Sequence, residues 1–221
     1  MEAAEKVRDY FTRSASGFDT FYSEERVGAF MRFINRHFHR DIYERHRLSL
    51  EHVRQYRLES ILDVGCGSGR YALGLAELPS VKRIVGIDFS SPMIALATAN
   101  TRPVQSSGKS LEFICGDFQK FETDETFDGV LTMGLFDYVS DPVPVLEKMR
   151  QLVRHSVAAS FPSISFYRTP IRKARYFFKR CPVYFYTSKK ILALSKAAGF
   201  DRVETQKIKG SGMDYFAVFF K

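Results

Sequence analysis

The chain has 221 residues, three cysteines and a formal charge of +8. That length suits one domain with a core large enough to need no disulfides, and an odd, irregularly spaced cysteine set offers no structural framework. The charged start Met1-Glu2-Ala3-Ala4-Glu5-Lys6 lacks a signal peptide's apolar run, and no stretch reaches the roughly 18 apolar residues of a membrane span, so a soluble cytoplasmic protein is expected.

In chain order, Val7, Tyr10, Phe11, Phe18, Phe21 and Tyr22 fall at the spacing of amphipathic helical turns. A second helical stretch is predicted from Glu24 to Tyr56. It holds four of the five histidines (His37, His39, His46, His52), at separations that make no compact ligand set, so no metal site is expected. The first strand, Ile61-Leu62-Asp63-Val64, runs into Gly65-Cys66-Gly67-Ser68-Gly69-Arg70, and a helix is predicted over Tyr71 to Leu78. Glycine permits positive φ and close backbone approach to a ligand, while a helix start offers unpaired N–H groups. The pair is therefore a ligand cradle at the carboxyl end of a strand.

Arg83-Ile84-Val85-Gly86-Ile87-Asp88 reads as a second strand ending in an acid. Ser90 or Ser91 is then a candidate cap, and Pro92 suits a first helical turn. Leu111 to Cys115 is a third strand, ending in Gly116-Asp117-Phe118. A fourth runs over Thr126 to Met133. Asp141-Pro142-Val143-Pro144 opens a helix running towards Arg154, and Val157 to Phe161 is a fifth strand. Thr187 or Ser188 caps a further helix that stops at Gly199, and Val203 to Ile208 and Tyr215 to Phe220 close the chain as strands. Strands alternating with helices argue for a mostly parallel α/β sheet covered on both faces.

The glycine spacing separates two ligand classes. A dinucleotide fingerprint needs a third small residue where Arg70 stands. The form here, Asp63-x-Gly65-x-Gly67-x-Gly69, resembles instead the first motif of the class I S-adenosylmethionine (SAM) methyltransferases, and Asp88 and Gly116-Asp117-Phe118 fall where that family's second and third motifs stand. The resemblance implies a Rossmann-like seven-stranded sheet over about residues 58–221, mostly parallel with the last strand antiparallel, and helices on both faces. It implies an N-terminal helical cap over 1–57, where Tyr10-Phe11, Ala15, Phe18-Asp19 and Tyr22 resemble a segment that closes over the cofactor. The implied SAM-contacting set is Asp63, Gly65, Cys66, Gly67, Gly69, Asp88, Phe89, Asp117, Phe118 and Gly134. Within it Asp88 accepts the ribose hydroxyls, Asp117 the adenine amino group, and Phe118 helps line the ring pocket. Cys66 is expected to be there for its size, with no chemistry of its own.

Absences narrow the acceptor. After the fourth strand stands Gly134-Leu135-Phe136-Asp137-Tyr138, without the Pro-Pro-aromatic motif of nucleic-acid amino methylation, the Pro-Cys nucleophile of cytosine methylation or the two glutamates of protein-arginine methylation. A small-molecule acceptor methylated at oxygen is expected. Asp137 and Tyr138 are the candidate catalytic pair, with Tyr10 and Tyr22 as further candidates for a general base. Ala159-Ser160-Phe161-Pro162, Thr187 to Phe200 and the closing Tyr215-Phe216 resemble the magnesium-protoporphyrin and ubiquinone-type O-methyltransferases. Three alternatives stay open on the sequence: a noncatalytic SAM-binding protein, a nucleic-acid methyltransferase using the basic surface, and a nicotinamide-dependent oxidoreductase, against which Arg70 speaks.

Two regions concentrate the positive charge. Eight arginines lie between Arg26 and Arg57, and residues 163–183 carry Arg168, Arg172, Lys173, Arg175, Lys179 and Arg180 with no acid. The second region interleaves its cations with Phe166, Tyr167, Ile171, Tyr176, Phe177 and Phe178. Such a segment suits an aromatic, apolar or anionic acceptor, or a peripheral contact with a membrane surface.

Overall fold

The computed structural model describes residues 40–164, 182–209 and 214–221. The expectations placed on residues 1–39, Tyr10 and Tyr22 among them, and on the cationic stretch 165–181 lie outside the described residues.

The elements follow one another as α1 (Arg40–Gln55), β1 (Ser60–Val64), α2 (Arg70–Ala76), β2 (Arg83–Asp88), α3 (Ser91–Thr101), β3 (Ser110–Cys115), β4 (Phe127–Thr132), α4 (Pro142–Leu152), β5 (Val153–Phe161), α5 (Ser188–Ala197), β6 (Arg202–Lys207) and β7 (Tyr215–Phe220). The seven strands form one sheet in the order β3-β2-β1-β4-β5-β7-β6. Every pairing from β3 to β5 is parallel, and β7 runs antiparallel to both β5 and β6. The strand order reverses at β1, between β2 and β4, and open α/β sheets bind ligands at the carboxyl ends of strands beside such a switch point.

Burial follows position in the sheet. The inner strands β1, β2 and β4 are buried along nearly their whole length because helices cover both faces, and their sequences are correspondingly apolar runs. The edge strands β3 and β6 alternate or stay exposed, with Glu112 on one and Arg202, Glu204 and Lys207 on the other blunting the free edges. One core cluster gathers Leu62, Val64, Val130 and Phe161 under α4 and α5, and the second gathers Ile61, Ile84, Leu131 and Phe216 under α1 and α2. Helix α3 packs beside α2 on β2 and β3.

Helix termini obey local chemistry with one exception. Asp141 caps α4 by accepting from the Val143 N–H at 3.3 Å, and Thr187 caps α5 by accepting from the Lys190 N–H at 3.2 Å. Gly199 closes α5 at φ 78°. Ser90 occupies the cap position of α3, yet its hydroxyl makes no capping bond; the Asp88 carboxylate accepts from the Ser90 N–H instead.

The boundary between α4 and β5 falls earlier than expected. The helix ends at Leu152, not near Arg154, and β5 begins at Val153 instead of Val157. Val153 already has extended geometry and pairs with Phe127, and a bulge separates that pairing from the one at Gly129. In the fold Arg154 reaches Asp128, the Thr126 carbonyl and the Ser60 hydroxyl.

Candidate SAM-binding site

The glycine loop leaves β1 and is hung from β2. Gly65 N–H and Cys66 N–H both donate to the Ile87 carbonyl, at 2.8 and 3.2 Å, and Gly69 N–H closes the loop on the Cys66 carbonyl. Gly65, Gly67 and Gly69 all have positive φ, of 76°, 54° and 79°. Two of them show what that conformation is for. A Cβ at Gly69 would stand 3.1 Å from Ala97, so α3 can pack against the loop only over glycine. A Cβ at Gly67 would meet no described atom within 4 Å, so the loop presents bare backbone to open space, the surface a flush-lying ligand requires.

Asp88 ties this loop to the next element. Its Oδ2 accepts from the Gly67 N–H at 3.0 Å and its Oδ1 from the Ser90 N–H at 2.9 Å. Each carboxylate oxygen has a second lone pair, so the group keeps capacity for ligand hydroxyls while it shapes the cradle. Burial pushes its carboxyl above the ordinary range, partly offset by these two amide donors. Phe89 follows it, half-buried.

Asp63 lies beneath the loop, 1 % exposed, and its Oδ2 has no hydrogen-bond partner among the described residues. Burial, with the nearby Asp88 charge, pushes its carboxyl up to about 7. An orphaned buried carboxylate oxygen is costly unless something completes it. Cys66 is buried beside Gly86, and burial raises its thiol, in keeping with a packing role.

Across the sheet, Gly116 N–H donates to the Asp88 carbonyl, which sets the start of the β3 turn. Exposed Asp117 accepts from the Gln119 N–H at 2.9 Å, so one oxygen holds the turn. The Phe118 ring lies in the core cluster with Lys148 Nζ 5.5 Å from its centroid. It packs as core.

The turn after β4 forms the facing wall. Gly134 has φ 88°, and the Leu135 side chain comes 3.6 Å from where a Cβ on Gly65 would stand. Phe136 stacks on Phe161 at 4.6 Å and is fully buried, so it is core and not pocket wall. Asp137 is only 5 % exposed, its carbonyl accepts from the Tyr184 N–H, and half-buried Tyr138 follows it.

Three polar residues here were given no role by the sequence reading. Arg45 on α1 reaches the Ser160 hydroxyl at 3.4 Å, and its Nη1 lies 3.8 Å from where a Gly134 Cβ would stand. Burial pulls its guanidinium down, but Tyr71, Asp137, Asp214 and Asp41 together hold it above the ordinary value. Its Nε is buried with no hydrogen-bond partner among the described residues. Ser160 accepts from the Gly134 N–H at 2.8 Å, and buried Asp214 accepts from the Ser163 N–H at 3.1 Å. Arginine in an amphipathic helix carries no local mark of such a role. Ser160 lies within the run Ala159-Ser160-Phe161-Pro162, and Asp214 falls just before β7. The fold brings all three to one edge of the sheet.

The site fits SAM by the character of its groups. A bare glycine loop, an acid ending β2, an acid after β3, an orphaned carboxylate oxygen and an orphaned guanidinium nitrogen match the sugar, the base and the zwitterionic methionine end. Among the described residues no group of three or more His, Cys, Asp or Glu is placed to hold a metal.

Comparison with known proteins agrees. A family profile for a methyltransferase domain matches residues 61–156. The malonyl-[acyl-carrier protein] O-methyltransferase of Bacillus anthracis is 29 % identical over 89 residues, 40 % of this chain and 31 % of that protein. The mitochondrial ubiquinone biosynthesis O-methyltransferase of Dictyostelium discoideum is 26 % identical over 136 residues, 56 % of this chain and 42 % of that protein. The chain thus spans less than half the length of these curated relatives. Magnesium protoporphyrin IX methyltransferase from Synechocystis PCC 6803, solved with bound S-adenosylhomocysteine (SAH), has the same fold at a TM-score of 0.71 and 20 % identity, covering 97 % of this chain and 98 % of that one. With the sheet order, the glycine loop and the strand-end acids, these findings make residues 61–156 similar to a methyltransferase domain and give the chain the fold of the class I SAM-dependent methyltransferases.

Proposed function

We propose that this protein transfers the methyl group of SAM to an oxygen of a small-molecule acceptor and releases SAH. The observation that carries the reading is the open glycine loop whose Gly67 amide is fixed by Asp88. The similarity to two O-methyltransferases supports oxygen as the acceptor atom.

The binding roles follow from the groups present. Asp88 is assigned the ribose hydroxyls, and Asp117, through the oxygen not engaged by Gln119, the adenine amino group. Asp63 and Arg45 are assigned the methionine end, where an ammonium answers the orphaned carboxylate oxygen and a carboxylate answers the guanidinium. SAM supplies an electrophilic methyl on a sulfonium, so the protein's part is to align the acceptor, exclude water and take up a proton. We assign the proton to Asp137, with Tyr138 beside it. Asp137 is buried on a turn held at Gly134 and at Tyr184, which is the fixed placement a general base needs.

The acceptor is assigned to the aromatic, apolar or anionic class on the sequence of residues 163–183. The same composition suits a peripheral membrane contact. Neutralising Arg172, Lys173 and Arg175 together is expected to raise the acceptor KM and leave SAH affinity unchanged; an unchanged KM excludes the segment. The free thiols of Cys66 and Cys115 suit a cytoplasmic location. No described helix is long and apolar enough to cross a membrane.

Two measurements test the core reading. SAH is expected to raise the melting temperature where NAD does not, because ligand binding to the native state alone stabilises it. Asp88→Ala is expected to weaken SAH binding about ten- to hundredfold, the range for losing charge-assisted hydrogen bonds. A screen of cell extract with isotopically labelled SAM then identifies the acceptor by its mass shift. Failure of SAH to bind removes the reading; binding without any labelled product leaves a noncatalytic SAM-binding protein.

A further inference from the structure

We propose that Ser160 is a positioning residue that locks the turn after β4 over the glycine loop and joins that turn to α1. The inference rests on the reading of the loop as a SAM site. Ser160 is the penultimate residue of β5, on the α1 and α2 face of the sheet, and is 1 % exposed. Its hydroxyl accepts from the Gly134 N–H at 2.8 Å and from Arg45 Nη1 at 3.4 Å. These donors come from different layers: Gly134 follows β4, and Arg45 belongs to α1, 115 residues away in sequence. A serine hydroxyl has two acceptor lone pairs and serves both; alanine would serve neither.

The hydroxyl acts on the cofactor through one further contact. Gly134 turns the chain at φ 88°, and the next residue, Leu135, lays its side chain 3.6 Å from the Cβ position of Gly65. Fixing the Gly134 amide therefore fixes the wall facing the glycine loop. Without the hydroxyl, a turn amide at this partly buried position loses its acceptor and the wall can shift. Arg45 lies over the same turn, so α1 and β4 take their positions from one oxygen.

The test is calorimetric titration of SAH into wild-type protein, Ser160→Ala, Ser160→Thr, Arg45→Gln and the Ser160→Ala/Arg45→Gln double variant, with ligand-free melting temperatures alongside. Ser160→Ala is expected to weaken SAH about tenfold, as the loss of one buried hydrogen bond does. Ser160→Thr, which keeps the hydroxyl, is expected to recover most of the affinity. The double variant is expected to lose less than the product of the two single losses, because part of the Arg45 loss runs through the same hydroxyl. Wild-type affinity in Ser160→Ala, whatever its melting temperature, overturns the proposal and leaves a structural role. Strictly multiplicative losses overturn the joint role of Arg45. Should Ser160→Ala not fold, hydrogen exchange at the Gly134 amide decides. Faster exchange in Arg45→Gln supports the coupling, and an unchanged rate overturns it. Absence of SAH binding to the wild-type protein removes the SAM reading, and this proposal with it, whereas failure of the Ser160 variants alone removes only the proposal.

Discussion

The two edges of the sheet are built on opposite principles. At the amino ends of the parallel strands, charged groups are matched. Arg83 pairs with Glu112 and Glu125 and bonds to Ser110, and Arg154 joins Asp128, Thr126 and Ser60. At the carboxyl ends the chain leaves polar atoms unmatched: Asp63 Oδ2, Ser90 Oγ, Thr132 Oγ1 and Arg45 Nε are buried without hydrogen-bond partners among the described residues. Gly65, Gly67, Gly69 and Gly134 add four left-handed turns to the same edge. Buried polar groups in native proteins are normally satisfied, so a concentration of exceptions marks where a ligand completes the structure. One edge is finished by its own sequence except at Arg150 Nε, which is buried without a hydrogen-bond partner among the described residues. The other is finished by what binds there.

Substitutions can break this contrast, and the largest effect is expected at Gly69. Gly69→Val places a β-branched residue at φ 79° and drives it into Ala97. The left-handed penalty plus overpacking costs about 3 kcal/mol, and denaturant unfolding is expected to show it together with loss of SAH binding. Gly67→Ala is the counterpart. It meets open space but keeps the cost of a side chain at φ 54°, about 1 kcal/mol, so unfolding free energy should fall by less than for Gly69→Val while SAH binding falls sharply.

Asp137→Asn follows. With Asp137 as the base, kcat is expected to drop by about two orders of magnitude at unchanged SAH affinity, read in steady-state kinetics on the identified acceptor. Normal turnover excludes Asp137 and turns attention to Tyr138.

A smaller, pH-dependent effect is expected from Asp63. Its folded carboxyl, at about 7, lies above the ordinary unfolded value of 3.8. Between these values the folded state holds a proton that the unfolded state has lost. The contribution of Asp63 to stability is therefore full below the lower value and is lost as pH rises through about 7. His52 works the other way: burial, reinforced by His155, lowers it to about 4, so its contribution is lost as pH falls through the range below 6.5. The difference between wild-type and Asp63→Asn melting temperatures isolates the first effect and should change with pH between about 4 and 7. A difference independent of pH would show that Asp63 does not titrate there.

The smallest effect belongs to the matched edge. Arg154 is half exposed, and its pairing with Asp128 is worth about 1 kcal/mol or less. Arg154→Met is expected to lower the melting temperature slightly, more at low salt than at high, and to leave SAH affinity untouched.

The sequence by itself determined what nearest neighbours determine. Apolar runs defined the strands, Asp141 and Thr187 announced their helices, and glycines at every second position after β1 announced a loop that turns at positive φ at each of them. Asp88 stands at the end of β2 as the pattern required. Reading along the chain misplaced the start of β5, because whether Arg154 continues a helix or enters a strand is settled by Asp128 and Thr126 on the neighbouring strand. Nor does the local sequence say whether Phe136 is pocket wall or core, which stacking on Phe161 resolves.

Only the tertiary structure decided which side chains share the carboxyl edge. Ser160 meets Gly134 across 26 residues and Arg45 across 115, and Asp214 meets Ser163 across 51. Helix and strand periodicity extends over a few residues, so it fixes which face a side chain occupies but not which distant element arrives there. The glycine loop was legible because its parts lie within a few residues of one another. The wall opposite it was not, because a sheet whose strand order differs from chain order assembles that wall from four separate segments.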